Sequence, residues 1–283
     1  MSTLTQPGAD IWIRDDLSID DALSRTTYLG IGAHQDDLEF MAYEGIAACY
    51  ESENQWFTGI TVTDGRNSSC LGPYANYTDD DMRVVRREEQ RKAAELGRYS
   101  AQFQLDYQSK DVKVEATEKV IGDLVELMRK MKPTTVYLHQ PADKHDAHVA
   151  VLARCIEALR RTAEHHIPDR VIGCEVWRGL DWLADSDKVL MDCGAYPELT
   201  ESLNALFDSQ ITGGKRYDLA VQGRRRANAT FFDSHGSDLY SSVAWGVELK
   251  PLVEDASLSM EAFITDKVAQ LSEDIVNRVS KFL

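Results

Sequence analysis

Apolar and polar positions change period repeatedly along the first half of this chain. Thr27–Ala33 (Thr-Tyr-Leu-Gly-Ile-Gly-Ala) is a short apolar run, and it predicts a buried strand. From Glu39 to Ser52 the apolar residues Phe40, Tyr43, Ile46, Ala47 and Tyr50 recur at helical spacing. Trp56–Val62 is rich in β-branched residues and predicts a second strand. Thr63–Thr78 is rich in Gly, Asn and Ser and predicts a long loop, a length that is uncommon without a functional reason. Asp79–Leu96 predicts a charged helix closed by Gly97. Further along, Gln102–Tyr107 and Thr134–Leu138 predict strands. Ala116–Met131, stopped by Pro133, and the stretch from Asp146 toward Ala163 predict amphipathic helices.

Strand followed by helix, repeated, requires parallel strands with helical crossovers. The expected fold class is therefore α/β and Rossmann-like: a mostly parallel sheet flanked by helices in a single domain. The second half is less regular. It predicts a strand at Val189–Met191, helices at Pro197–Phe207 and Tyr217–Ala229, and a C-terminal helix over Leu258–Phe282, continuous or broken. No repeat or low-complexity tract interrupts the chain. The expected division is an N-terminal extension (1–26), a main domain (27–257) and a C-terminal helix packed on it (258–283).

Composition narrows the function. The chain has 283 residues and a net charge of −16, with 31 Lys and Arg against 47 Asp and Glu. An acidic balance argues against nucleic acid or an anionic membrane as the main partner, since both demand basic surface. Five widely spaced cysteines, without a CxxC pair, suit reduced thiols in the cytoplasm better than a disulfide framework or a zinc ribbon. Met1–Ala9 lacks the basic start and apolar centre of a signal peptide, and no window is apolar enough to span a membrane. A soluble, intracellular substrate or a polar headgroup is the partner these features leave, rather than a buried lipid. The apolar stripe of the last helix serves either a homo-oligomer or intrachain packing.

Two clusters carry the candidate chemistry. Ala33-His34-Gln35-Asp36-Asp37-Leu38-Glu39 follows the first strand, and His145-Asp146-Ala147-His148 follows the strand at Thr134–Leu138. In parallel sheets, ligands bind beyond the carboxyl ends of the strands. Both clusters fall at such ends, so segments far apart in sequence can face one pocket. Imidazole nitrogen and carboxylate oxygen are catalytic zinc ligands; such a site uses three of them and leaves one position open. One carboxylate and one imidazole remain to spare, as metal-assisted hydrolysis needs for its proton transfers. Iron(II) or cobalt(II) fits the same nitrogen and oxygen donors. For Asp36 or Asp37 the competing use is a helix cap, and for His145 a structural loop histidine. His165-His166 is a pair without a preceding strand and has no expected role. Gly30-x-Gly32 lacks the third glycine of a dinucleotide fingerprint.

With these motifs the chain resembles the PIG-L/LmbE family of zinc-dependent N-acetylglucosaminyl deacetylases. Ala33-His34-Gln35-Asp36-Asp37 with Glu39 is similar to the family's first motif, with Gln35 in place of proline. His145-x-x-His148 is similar to its second. The likeness continues in Thr63-Asp64-Gly65-Arg66, in Arg86-x-x-Glu89 and in Ala93-Ala94-Glu95-Leu96-Gly97, and more faintly in Asp192 and Ser209-Gln210. It implies zinc held by His34, Asp37 and His148. It implies Asp36 as general base, and His145 as stabiliser of the oxyanion or donor to the departing amine. It also implies Arg86 in contact with a polar or anionic part of the substrate, beside Asp64.

Arg66 stands where the family often has Glu. It brings positive charge to the pocket mouth for a phosphate or carboxylate, or else it is a solvent-exposed loop side chain. Arg224-Arg225-Arg226 must point three ways on a helix; one of them, or His235, reaches the site if it is not simply surface. Trp177 and Trp182 read as core or rim aromatics. The implied activity is removal of an acetyl group from an N-acetylated amino sugar or sugar conjugate. The alternatives are cleavage of a larger conjugate amide and a non-catalytic metal- or sugar-binding protein.

Overall fold

The computed structural model describes residues 4–114 and 118–283. One eight-stranded sheet organises them: β1 (Asp10–Ile13), β2 (Tyr28–Gly32), β3 (Phe57–Thr63), β4 (Ala101–Tyr107), β5 (Thr135–His139), β6 (Arg170–Cys174), β7 (Lys188–Asp192) and β8 (Val243–Glu248), in the spatial order β1-β4-β3-β2-β5-β6-β8-β7. The run β4-β3-β2-β5-β6 is parallel, while β1, β8 and β7 join antiparallel. The expected fold class is borne out as a mixed α/β sheet flanked by helices.

The topology positions the site. From β2 the chain crosses to β3 and β4 on one side, then returns to lay β5 against the other side of β2. The connections leaving β2 and β5 therefore diverge, and a crevice opens at their carboxyl ends. Both His/Asp clusters sit there.

The core follows from strand alternation. Leu29 and Ile31, Ile60 and Val62, Phe103 and Leu105, and Val136 and Leu138 point to one face. There they pack under the helices Glu118–Met128 and Asp146–Thr162. Phe57, Tyr137, Ile172 and Cys174 point to the other face, with Leu38, Ile46, Ala93, Tyr99 and Phe207. Phe103 is fully buried within the first of these layers. A Phe103→Ala variant should lose about 3–5 kcal/mol, because the cavity adds to the lost transfer energy. The check is a lower urea midpoint at unchanged slope.

Several boundaries differ from the sequence reading for physical reasons. The helix expected over Glu39–Ser52 is two helices, Asp37–Met41 and Tyr43–Tyr50, broken at Ala42 (φ −112°, ψ 20°). Ala116, the expected first residue of the next long helix, lies outside the described residues, and the helix is described from Glu118 to Met128. Residues 1–26 read as an extension, yet Asp10–Ile13 pairs with β4 as the edge strand. β6 and β8 are strands that the sequence reading did not assign, and β8 is held by antiparallel pairing to both β6 and β7. The C-terminal helix Met260–Ser280 is continuous. It packs through Met260, Phe263 and Ile264 and ties Lys267 to Asp187 at 2.7 Å; beyond that Ile275, Val276 and Val279 are exposed.

Candidate metal centre and active site

The first cluster is built on a strained turn. After β2, Asp36 adopts φ 100°, a conformation that a non-glycine residue takes only when its surroundings impose it. The surroundings are polar and buried. Gln90 Oε1 accepts the Asp36 backbone N–H at 3.2 Å, and the Arg86 guanidinium donates to Asp36 Oδ2 at 3.0 Å and to the Gln35 carbonyl. Asp36 stands at the N-cap position of the helix Asp37–Met41 but makes no capping hydrogen bond. Its side chain is thus free of the capping use and lines the cavity described below.

His34, Asp37 and His148 converge. His34 Nδ1 lies 3.2 Å from His148 Nε2 and 3.4 Å from Asp37 Oδ2, and His148 Nε2 lies 3.4 Å from Asp37 Oδ1. Ligand bonds of about 2.0–2.1 Å in a tetrahedron set ligand atoms about 3.3 Å apart. Each pair of the three stands near that spacing, with Asp37 meeting His34 through Oδ2 and His148 through Oδ1. Two imidazole nitrogens at 3.2 Å also need a shared proton or a shared cation between them. The donor set fits a divalent metal with one open side.

Two overlapping groups of metal-ligating side chains occur among the described residues: His34, His145 and His148, and Asp37, His139 and His148. His139, at the end of β5, was missed by the sequence reading. Its Nε2 accepts the Ala33 N–H at 2.9 Å, which occupies the lone pair that would face an ion, so His139 orients the turn rather than ligating. The clue available in sequence was its place as the last residue of a strand that ends at the crevice.

Asp143 supports His148. Its carboxylate is buried, lies 3.5 Å from His148 Nδ1, and accepts the backbone N–H groups of His145 and Trp177 at 3.1 and 3.2 Å. Asp146, which follows His145 in the second cluster, is exposed. Loss of such a supporting carboxylate costs roughly 10–100-fold in metal affinity. An Asp143→Asn variant should show that loss in a competitive chelator titration.

Burial pushes the Asp36 carboxyl up to about 7, with Arg86 pulling in the opposite direction. Burial also pulls the His145 imidazole down to about 4, helped by His34 and His148. His145 packs edge-on against His34 with ring centroids 4.8 Å apart and stacks toward Trp177 at 6.3 Å.

The helix Asp79–Leu96 forms the back wall. A capping box of Thr78 and Asp81 starts it, and one buried face presents Met82, Arg86, Glu89, Gln90, Ala93 and Ala94. Arg86 is nearly fully buried and its guanidinium is engaged by Asp36, Glu89 and the Gln35 carbonyl. Glu89 in turn accepts the Ser209 N–H and hydroxyl, each at 2.7 Å. The expected substrate contact at Arg86 is thus occupied by the protein itself.

A cavity of about 610 Å³ opens from this centre. It is lined on one side by Gly65, Asn67, Ser68 and Ser69 of the long loop and on the other by Phe40, Trp177 and Tyr217. Trp177 is a rim aromatic, in edge contact with Tyr217 at 5.8 Å. Trp182 lies away from the cavity and donates to Gln140 Oε1 at 3.2 Å. Of the arginine triplet, Arg224 lines the cavity and donates to the Val176 carbonyl. Arg225 is buried on the carbonyls of Glu39 and Phe40, and Arg226 projects away from the cavity.

Three expected substrate contacts are not cavity residues. Arg66 is held by Asp64 at 2.8 Å and Asp80 at 2.7 Å, Asp64 is buried under that pair, and His235 is exposed on the loop before β8. The physical reason is local: Arg66 finds two carboxylates before it can reach the mouth.

Among the described residues, no helix is long and apolar enough to cross a membrane. No curated protein matches the chain in sequence. Solved structures share the fold. The conserved protein TT1542 from Thermus thermophilus superposes with a TM-score of 0.60 at 17% identity, covering 78% of this chain and 93% of that one. GalB, the 4-carboxy-2-hydroxymuconate hydratase from Pseudomonas putida, gives 0.61 at 19%, with 79% and 95% covered. N,N'-diacetylchitobiose deacetylase from Pyrococcus horikoshii gives 0.60 at 14%, with 82% and 86% covered. The family model of PIG-L, GlcNAc-PI de-N-acetylase, matches residues 29–159, which contain both His/Asp clusters. Over residues 29–159 the chain is thus similar to the PIG-L family, the family that its motifs resemble.

Proposed function

We propose that this protein is a metal-dependent hydrolase that removes an acetyl group from an N-acetylated amino sugar or sugar conjugate. The observation that carries the reading is the convergence of His34, Asp37 and His148 at a cavity that Asp36 and His145 also face. In this reading His34, Asp37 and His148 hold zinc, with iron(II) or cobalt(II) as the alternative ions. Such an ion, when bound, supplies Lewis acidity that polarises an acyl carbonyl and acidifies water. Asp36 is the base that takes the proton of the attacking water, and Arg86 and Gln90 aim it. His145 offers an N–H to the charge that develops on the carbonyl oxygen. The proton collected by Asp36 is then at hand for the departing amine nitrogen.

The fold alone does not select this reaction, since the hydratase GalB shares it. The PIG-L match over both motifs favours the amide, and an aromatic wall of Trp177 and Tyr217 suits the face of a sugar ring. Five free cysteines, four of them buried, suit a reducing compartment, and the reading places the enzyme in the cytoplasm. The test is a panel of N-acetylated sugars given to the metal-loaded protein. Equimolar acetate and free amine support the reading. Release of amine with a longer acid would favour a larger conjugate amide, and no amine from any member would overturn hydrolysis.

A further inference from the structure

Two arginines are buried among the described residues, Arg86 and Arg225. Arg86 has its counter-charges in Asp36 and Glu89. Arg225 has neutral oxygens instead. Its Nη2 donates to the carbonyls of Glu39 and Phe40 at 3.0 and 2.8 Å, and its Nη1 donates to Thr200 Oγ1 at 2.8 Å. The guanidinium lies over the Tyr43 ring, 5.1 Å from its centroid. A buried cation without a carboxylate partner is costly, and it persists where fixed dipoles replace water.

Those dipoles come from the helix break at Ala42. The helix Asp37–Met41 carries Asp37, with Asp36 at its N-cap position. Ala42 N–H still closes on the Leu38 carbonyl at 2.8 Å, and the next helix opens with the Ile46 N–H on the Ala42 carbonyl at 3.1 Å. In an unbroken helix the Tyr43 and Glu44 N–H groups would take the Glu39 and Phe40 carbonyls. The break withdraws those donors. The planar fork of Arg225 supplies both carbonyls, and a cation suits the carboxyl end of a helix. Arg225 belongs to the helix Tyr217–Thr230, whose Tyr217, Ala220, Val221 and Arg224 line the cavity and which lies outside the residues 29–159 that match the family. From the other end, Arg86 holds the Gln35 carbonyl and the Asp36 carboxylate. The turn that bears Asp36 and Asp37 is thus gripped at both ends, by arginines from two different helices.

We propose that Arg225 is a positioning residue of the metal centre: by holding the Glu39 and Phe40 carbonyls it keeps the helix break at Ala42, and with it the placement of Asp37 against His34 and His148. The proposal rests on the reading above that these three side chains hold a metal, and not on which amide is cleaved. Without Arg225, two buried carbonyls lack donors. The Tyr43 and Glu44 N–H groups then turn in to reach them, the break straightens, and Asp37 rotates away from the histidines.

The experiment reads cobalt(II) binding to the full chain, by competitive chelator titration and by visible absorption, which reports the geometry of the ligands. Arg225→Ala should bind cobalt at least about tenfold more weakly, the low end of what loss of a supporting group costs, and should show an altered spectrum. Arg225→Lys, with one ammonium in place of the fork, should show the same spectral change with a smaller loss, and it carries the test if the alanine variant does not fold. Thr200→Val removes the third contact of Arg225 and leaves the two carbonyls in place, so its spectrum should match that of the unaltered protein. Circular dichroism confirms that each variant is folded at the temperature used. An unaltered affinity or an unaltered spectrum in a folded Arg225 variant overturns the proposal, and so does an equal change in Thr200→Val. Failure of the function reading would look different. An unaltered protein that binds cobalt and releases no amine loses the reaction and keeps the positioning role; one that takes up no cobalt loses the metal and the positioning role together.

Discussion

Asp36→Asn should lower kcat by roughly 10²–10⁴-fold, the range of a positioned general base, while metal content stays at that of the unaltered protein. Asparagine is the informative replacement. It keeps the size of the side chain and tolerates the positive φ that Asp36 adopts, whereas alanine would add backbone strain to the loss of the base. Arg86 and Gln90 reach Asp36 from one helix face, so the variant keeps oxygen acceptors for them while losing the ability to accept a proton and the charge paired with Arg86. KM should change little, because no binding contact is removed. The check pairs steady-state kinetics with metal analysis on the same preparation. Unimpaired turnover would remove Asp36 from the mechanism.

The second large effect is expected at His148. It is fully buried, its Nε2 faces both His34 and Asp37, and its Nδ1 faces Asp143. His148→Ala should weaken metal binding by more than about 100-fold, beyond what loss of a supporting group alone costs. Thermal stability supplies an independent readout. A metal that binds only the folded state adds about 2.7 kcal/mol at a hundred times its Kd. Added zinc should therefore raise the Tm of the unaltered protein and leave that of His148→Ala in place. A variant that still holds one equivalent and still responds would take His148 out of the donor set.

The sequence made the architecture legible wherever one period ran long enough. β2, β3, β4 and β5 are mostly apolar or β-branched runs set between helices, and the crevice followed from their order. β1, β6 and β8 were illegible. Two of them, β1 and β8, take their place only through antiparallel pairing with residues distant in sequence. The His/Asp clusters were legible because ligand chemistry is written in residue type.

Their support was not. His139 and Asp143 differ in nothing local from ordinary polar residues, and only burial against His148 and Ala33 gives them a role. Gln90 and Tyr99 likewise gain meaning from Glu39, which accepts hydrogen bonds from both at 2.9 and 2.7 Å and whose carboxyl burial pushes up to about 7. Charge was the least legible property. Arg66 and Arg86 were natural candidates for an anion, yet folding supplied each with carboxylates.

The central claim is that one metal ion, held by His34, Asp37 and His148, is required for hydrolysis of an N-acetyl amide. Titration of the chelated protein with zinc, following amine release from the best N-acetylated sugar, tests it most directly. The account predicts no release without metal, a linear rise to one equivalent per chain and a plateau beyond it. Amine release that survives chelation, or a fully loaded protein that releases none across the sugars, would contradict it.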